Sequence, residues 1–186
     1  MNEKPIRVGV VPIGNLDGIF AKTVAAHLLG YFHLQVDILS PMGHPDYAFD
    51  PGRRQFDAGL ILKALGKRPF RNSQKVIGIV DVDLFVPILT HVFGEAEQGG
   101  RHALVSLHRL RKREDGAPAP LSQLLERTAK VALHETGHLF DLLHCREKRC
   151  VMHFSGSLRD LDQTPLFLCK YCSLYLRDAF KRASRP

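Results

Sequence analysis

Tryptophan is absent from this chain of 186 residues, and cysteine is absent from its first 144. No uncharged apolar stretch approaches the roughly 18 residues that span a bilayer, so we expect no membrane partner. Low-complexity tracts and a collagen-like glycine repeat are also missing. The 45% hydrophobic and 24% charged residues are typical of an ordinary globular protein. We expect residues 1–186 to form one domain, large enough to bury a core without disulfides.

The N-terminal sequence lacks the features of a secretory signal. It places charges at Glu3, Lys4 and Arg7, and Gly9 and Pro12 interrupt its apolar run. We therefore expect a cytoplasmic protein. In a reducing compartment, closely spaced cysteines are more often metal ligands than disulfides.

The net charge is positive, because 26 Lys and Arg residues face 19 Asp and Glu residues, a balance of +7. Such an excess can bind phosphate, which makes a nucleic acid one conceivable partner. The charge is spread over small clusters, however, without the interleaved aromatic residues of a single-strand binder. A solvated basic surface is the favoured interpretation, and nucleic acid is not the expected partner.

The first two thirds of the chain alternate between two hydrophobic periods. Continuous or alternating apolar runs predict strands at 6–12, 34–38 and 76–82, and helical spacing predicts helices at 19–32 and 53–65. This βαβαβ order predicts an α/β fold with a parallel sheet and right-handed crossovers.

A short antiparallel pair is predicted next. Residues 91–94 and 103–107 are strand candidates, and a Gly99-Gly100 turn lies between them. Such a pair at one side would give the mostly parallel sheet an antiparallel edge strand.

A long helix is predicted at 121–139, so that residues 1–140 contain the sheet and this helix. Residues 141–186 are then expected to form a small C-terminal subdomain. That subdomain has little periodicity until a basic amphipathic helix at about 172–182.

The long helix carries His134, Glu135 and His138 in an HExxH arrangement. Residues four apart lie on one helical face, so both imidazoles can bind the same ion while Glu135 stands beside it. Catalytic zinc normally takes three protein ligands and keeps a fourth position for water. A third ligand must therefore come from elsewhere in the chain.

His144 is the candidate third ligand. A thermolysin-like site would need a Glu well downstream, and none occurs after Glu147. In a continuous helix, His144 would lie about 240° around and ~9 Å along the axis from His138. The helix must therefore end near residue 141 and the chain must turn back.

These residues carry a family resemblance. HETGHLFDLLHC, residues 134–145, resembles the metzincin pattern HExxHxxGxxH, and a Cys directly after the third His is characteristic of the archaemetzincins. VIGIVDVDLFVP, HVFGEAE and VMHFSGSL are similar to that family as well, so the resemblance covers nearly the whole chain. It implies a metzincin-like fold and a zinc peptidase, with His134, His138 and His144 holding the catalytic zinc. It also implies that Met152 forms an apolar floor beneath the imidazoles.

Two positions depart from the family pattern. Asp141 stands where the family has a Gly that supplies a left-handed backbone. Asp tolerates that conformation better than most residues, at a cost of about 1 kcal/mol. The spacing from Met152 to Cys169 is also one residue shorter than the family's.

The cysteines form a Cys-x4-Cys and a Cys-x2-Cys pair, at Cys145, Cys150, Cys169 and Cys172. Four thiolates suit a closed, structural zinc site, although a disulfide or a redox pair remains an alternative. With the histidine site, this predicts two Zn²⁺ ions per chain. Because Cys145 adjoins His144, the two metals should share one short segment.

The predicted function is zinc-dependent hydrolysis of peptide bonds in a peptide or protein substrate. The zinc would lower the pKa of its water toward ~7 and polarise the scissile carbonyl, and Glu135 would act as the general base. The edge strand around 91–96 is a candidate for holding an extended peptide by β-augmentation. The sequence predicts neither the cleavage specificity nor the oligomeric state.

Two alternatives stay open. One is a zinc-bound peptide- or protein-binding module with little or no peptidase activity, which Asp141 favours mildly and the intact Glu135 argues against. The other is a basic nucleic-acid-binding protein, which a steep salt dependence of binding would identify.

Overall fold

The computed structural model describes residues 5–183. Within this range the chain forms nine strands: β1 (Arg7–Ile13), β2 (Gln35–Ile38), β3 (Phe49–Asp50), β4 (Gln55–Asp57), β5 (Lys75–Val80), β6 (Leu84–Val86), β7 (Leu89–Val92), β8 (Gly94–Ala96) and β9 (His102–Ser106). It also forms five α-helices: α1 (Gly18–Phe32), α2 (Ala58–Gly66), α3 (Leu121–Leu139), α4 (Leu158–Gln163) and α5 (Lys170–Ala183). Within residues 5–183, no helix is long and apolar enough to cross a membrane.

The main sheet has the strand order β2-β1-β5-β9-β8. The first four strands are parallel, and β8 pairs antiparallel with β9 at the edge. The predicted α/β fold with a mostly parallel sheet and an antiparallel edge is thereby confirmed.

Both faces of this sheet are covered, as its nearly continuous apolar strands predict. Alternate residues of β5 face opposite ways: Ile77 and Ile79 belong to the core beneath α1 and α3, whereas Val76 and Val80 belong to the core beneath α2. The helix α3 lies against β8 and β9 and is thereby fixed beside the edge strand.

A second, smaller sheet of order β3-β4-β6-β7 was not predicted from the sequence. Its strands have two to four residues, too few to show a period. The helix predicted at 53–65 begins only at Ala58, because Arg54 has a left-handed backbone (φ 54°) and residues 55–57 pair as β4. Asp57 then caps α2 by accepting a hydrogen bond from the backbone N–H of Leu60.

The strand predicted at 91–94 is also corrected. Its first two residues end β7 in the small sheet, whereas Gly94 begins β8 in the main sheet. The antiparallel pair at the edge is β8 with β9, joined by residues 97–101. The predicted Gly99-Gly100 turn lies within that connection.

The C-terminal part contains one helix that was not predicted. This helix, α4, has only six residues and begins with a capping box between Ser157 and Asp160. Arg127 of α3 holds it in place through two 2.6 Å hydrogen bonds to the carboxylate of Asp162. The predicted C-terminal helix starts slightly earlier than expected, at Lys170. The division of the chain at residue 140 stays a prediction.

Candidate metal centres

The end of α3 creates the first centre. The helix stops at Leu139, and Asp141 follows with a left-handed backbone (φ 69°). The N–H of Asp141 donates to the carbonyl of His138, and the N–H of Leu142 to that of Gly137. These two bonds form a Schellman motif with Asp at the position that usually holds Gly. The prediction that the helix ends near residue 141 and turns back is confirmed.

The reversal brings three imidazoles together. His134 and His138 lie one turn apart on α3, and their Nε2 atoms are 3.1 Å apart. The ring of His144 lies 4.9 Å from that of His138 and 5.2 Å from that of His134. One ring nitrogen from each of the three lies within 4.8 Å of the others, a spacing that could hold a metal ion.

Backbone carbonyls fix the orientation of the two helical histidines. Nδ1 of His134 donates to the carbonyl of Val151 at 2.8 Å, and Nδ1 of His138 to that of Leu142 at 2.7 Å. With Nδ1 protonated, each neutral ring directs the lone pair of Nε2 toward the other ring. Two lone pairs this close repel unless a cation lies between them, and such second-shell bonds are typical of metal-binding histidines. The donor set therefore fits a zinc ion.

Burial favours the uncharged form that a metal needs. Desolvation lowers the pKa of His134 to about 3, and it lowers the pKa values of His138 and His144 as well. All three imidazoles are thus neutral at pH 7, ready to bind a cation without first losing a proton.

Glu135 is buried beside this cluster, against the edge strand. Desolvation raises the pKa of its carboxyl well above the ordinary value. A Cβ atom on Gly94 of β8 would lie 2.6 Å from Glu135 Oε1 and 2.7 Å from the carbonyl oxygen of Leu104. Only glycine at this position lets the carboxyl group lie against the strand.

Sequence reasoning did not single out Gly94. A glycine inside a predicted strand is a signal for the close approach of another group, and that signal could have identified it. A second glycine, Gly137, has a comparable role, because any side chain there would collide with the sulfur of Met152. Met152 is fully buried and lies against the helix between the two zinc-binding candidates His134 and His138.

The imidazoles and Glu135 line a cavity of about 530 Å³. One wall is formed by β7 and β8, and the opposite side by α3 together with parts of residues 151–164. Since β8 is the last strand of the main sheet, one of its edges has no partner strand among residues 5–183 of that sheet. A cleft bordered by a free strand edge can accommodate an extended chain.

The second centre is a cluster of sulfur atoms. The Sγ atoms of Cys145, Cys150, Cys169 and Cys172 all lie within 4.8 Å of one another, and all four thiols are unpaired. Sγ of Cys145 lies 3.8 Å from Sγ of Cys169. Four thiolates at ~2.3 Å from a tetrahedral zinc lie about 3.8 Å apart, so this set also fits the metal.

The two centres share the segment that begins at His144, as the sequence predicts. The N–H of Cys145 donates to the carbonyl of Met152, and Nδ1 of His153 donates to the carbonyl of Cys145 at 3.0 Å. His153 therefore contacts the connection between the centres and does not line the cavity.

Comparison with known proteins gives consistent matches. Residues 70–178 match the profile of peptidase family M54. The chain is 38% identical to the archaemetzincin of Methanocaldococcus jannaschii over 173 residues, which cover 93% of this chain and 94% of the relative. The crystal structure of the archaemetzincin from Methanopyrus kandleri is similar with a TM-score of 0.85 at 29% identity, covering 96% of this chain and 97% of that one.

A further crystal structure, of the archaemetzincin from Archaeoglobus fulgidus complexed with malonate, is similar with a TM-score of 0.80. It is 29% identical and covers 91% of this chain and 99% of that one. Each of these matches extends over nearly the full length of both chains.

Proposed function

This chain belongs to the archaemetzincins, peptidase family M54, and from that premise we propose that His134, His138 and His144 hold its catalytic zinc and that Glu135 is the general base. The members of the family are zinc metallopeptidases, so the protein is an enzyme that acts on peptides or proteins. The residues that perform the reaction are our assignment.

The observation that supports this assignment is the convergence of three neutral imidazoles, two of which are oriented by backbone carbonyls so that Nε2 carries the lone pair. The carbonyls of Val151 and Leu142 occupy the Nδ1 atoms of His134 and His138, so Nε2 is the nitrogen left for the ion. When bound, zinc polarises the scissile carbonyl and makes a water molecule acidic enough to attack it near neutral pH.

Glu135 transfers the proton. Its carboxylate takes a proton from the attacking water and delivers it to the nitrogen of the leaving amine. Burial and, to a smaller extent, the neighbouring charge of Glu95 raise the pKa of this carboxyl. The cation held by His134 and His138 would lie beside it and favour the ionised form, which can accept a proton.

The substrate is proposed to lie along β8. The backbone groups of residues 94–96 form the free edge of the main sheet and border the cleft. An extended peptide that pairs with this edge would run past Glu135, because Gly94 lies against that carboxyl group. Such β-augmentation uses backbone hydrogen bonds, so it would place a peptide bond beside the histidines whatever the sequence of the peptide.

The four cysteines are proposed to hold a second, structural zinc. Their site is closed by four protein ligands, which leaves no position for water or substrate. Because Cys145 directly follows His144, a metal there would restrain the backbone that carries the third imidazole.

The decisive experiment combines metal analysis with peptide cleavage. We expect two zinc ions per chain by mass spectrometry, and cleavage of an unbiased peptide library that stops with a chelator and returns with zinc. Zinc-loaded protein that binds library peptides without cutting any of them would contradict the assignment and favour the binding module. Cleavage that persists after complete removal of zinc would place the chemistry elsewhere.

A further inference from the structure

We propose that Lys130 makes one end of the cleft selective for a carboxylate group that the substrate carries close to the scissile bond. The proposal rests on the function assigned above, because it takes the histidine cluster as the place of cleavage. The carboxylate can belong to an Asp or Glu side chain or to the C-terminus of the peptide.

Lys130 lines the cleft one helical turn before His134. It precedes His134 by four residues on α3, which is about 6 Å along the helix axis and on the same face. Its side chain is only 3% exposed, yet it lines the same cavity as the three histidines. Among the described residues that line this cavity, it is the single Lys or Arg.

The cavity that Lys130 lines is partly apolar and carries few charged groups. Val131 and Leu161 supply apolar surface, Ser155 and Thr164 supply hydroxyl groups 3.1 Å apart, and Glu95 and Glu135 supply carboxyl groups. A buried ammonium group attracts an anion more strongly than one in water does, because its surroundings screen the charge less.

The nearby carboxylate of Asp162 is hydrogen-bonded to Arg127 and not to Lys130. That carboxylate accepts two hydrogen bonds from Arg127, and only the backbone carbonyl of Asp162 accepts one from Lys130 Nζ, at 3.0 Å. Lys130 acts on this carboxylate only through space, where its charge helps to lower the pKa of Asp162, and the carboxylate in contact with Lys130 belongs to another partner.

That partner is Glu126, whose Oε1 lies 2.7 Å from Lys130 Nζ. The side chain of Glu126 is 53% exposed, so this carboxylate can itself move into solvent. Lys130 is buried and would then need another anion in its place. An ammonium group has three N–H donors, so a substrate carboxylate can use the third or replace Glu126. The contact with Glu126 demonstrates that Nζ can reach a carboxylate.

The test uses matched peptides that carry Glu, Gln or Lys at each position around the scissile bond, with a free or an amidated C-terminus. A hydrogen bond to a charged group is worth about 1.5–3 kcal/mol, so we expect kcat/KM for Glu to exceed that for Gln by about tenfold or more at one position. Preference for a free C-terminus instead would identify the terminal carboxylate as the group recognised.

Lys130→Met should reduce that Glu-to-Gln ratio to within about twofold, since it keeps the length of the side chain and removes the charge. Lys22→Met, at an exposed position of α1, is the matched control and should leave the ratio unchanged. Glu126→Gln should raise the ratio, because it removes the competing carboxylate while Lys130 stays in place.

An unchanged ratio in Lys130→Met, or in Glu126→Gln if the first variant does not fold, overturns the proposal. Calorimetric affinities of zinc-loaded Glu135→Gln protein for the Glu and Gln peptides give a readout that is independent of turnover. Preferential binding of the Glu peptide, lost with Lys130→Met, supports the proposal even if no peptide is cleaved. Cleavage that prefers neither Glu nor a free C-terminus contradicts this inference alone.

Discussion

Gln98 Nε2 donates a 3.1 Å hydrogen bond to Asp141 Oδ1, which joins the β8–β9 turn to the residue that ends α3. The same amide donates to the carbonyl of Leu142 at 3.2 Å, and this carbonyl also accepts from Nδ1 of His138. The N–H of Gly99 donates to the carbonyl of His138. The edge of the cleft and the turn that returns His144 are therefore one hydrogen-bonded unit.

Asp141→Gly should change the free energy of unfolding by less than about 1 kcal/mol. Glycine relieves a left-handed strain of about 1 kcal/mol but loses the bond to Gln98, which is worth about the same. Asp141→Val should unfold more easily and bind zinc more weakly, because a β-branched residue fits this backbone poorly. Urea unfolding and zinc titration measure both effects. A fully stable Asp141→Val protein with normal zinc affinity would contradict this view of the turn.

Glu135→Gln should retain two zinc ions and its fold while hydrolysis falls by about 10²-fold or more. The amide keeps the shape of the carboxyl group and cannot accept the proton. Steady-state cleavage assays with parallel metal analysis measure this. Glu114→Gln, in an exposed loop, is the control and should behave as the wild type. Equal rates in the two variants would remove Glu135 from the mechanism.

Gly94→Ala should lower kcat by about tenfold and leave the zinc content intact. The added methyl group must displace the carboxyl of Glu135 or the backbone of β9, since both lie within 2.7 Å of its position. A small displacement of a catalytic group is costly for the rate. Gly30→Ala is the matched control, because no atom lies within 4 Å of its new methyl group. Wild-type kinetics for Gly94→Ala would show that the carboxyl position does not matter.

Cys169→Ser should lose one zinc ion per chain and melt at a lower temperature. Thiolate-bound zinc stabilises only the folded arrangement, so its loss removes binding energy from the native state. Tyr171→Ser, at an exposed position of α5 two residues after Cys169, is the control and should keep both ions. If Cys169→Ser keeps two zinc ions and its melting temperature, the four cysteines do not form a metal site.

Asp162→Asn should destabilise the protein by about 3 kcal/mol at pH 7, because it leaves Arg127 buried and unpaired. Hydrogen bonds from Arg127 lower the pKa of Asp162 below its ordinary value. The stabilisation is therefore present above the unfolded pKa of about 3.9 and lost as the pH falls through the lower folded value.

Urea unfolding at pH 7 and pH 3 measures this effect as a difference between variant and wild type. The difference should shrink at the lower pH, and the exposed Asp178→Asn should show none at either pH. A difference that grows on acidification would mean that the carboxylate is not the stabilising form.

Much of the fold follows from local patterns. The limits of α3 were predicted as 121–139 and found there, because one long amphipathic helix has a clear period. The small sheet was not predicted, because strands of two to four residues show no period. The start of α2 was predicted too early, because nothing in the sequence indicates the left-handed backbone of Arg54.

The sequence by itself determined the chemistry: HExxH on a helix, a third histidine that requires a turn, and two cysteine pairs whose spacing suits a metal. These features depend on residue type and on spacing along the chain, because helix geometry determines which side chains lie on the same face. The tertiary structure alone decided which distant backbone comes close. It brought Gly94 against Glu135, Gln98 to Asp141, and Lys130 into the wall of the cleft. Such contacts depend on how sheet, hairpin and helix pack together, and no short-range pattern encodes that packing.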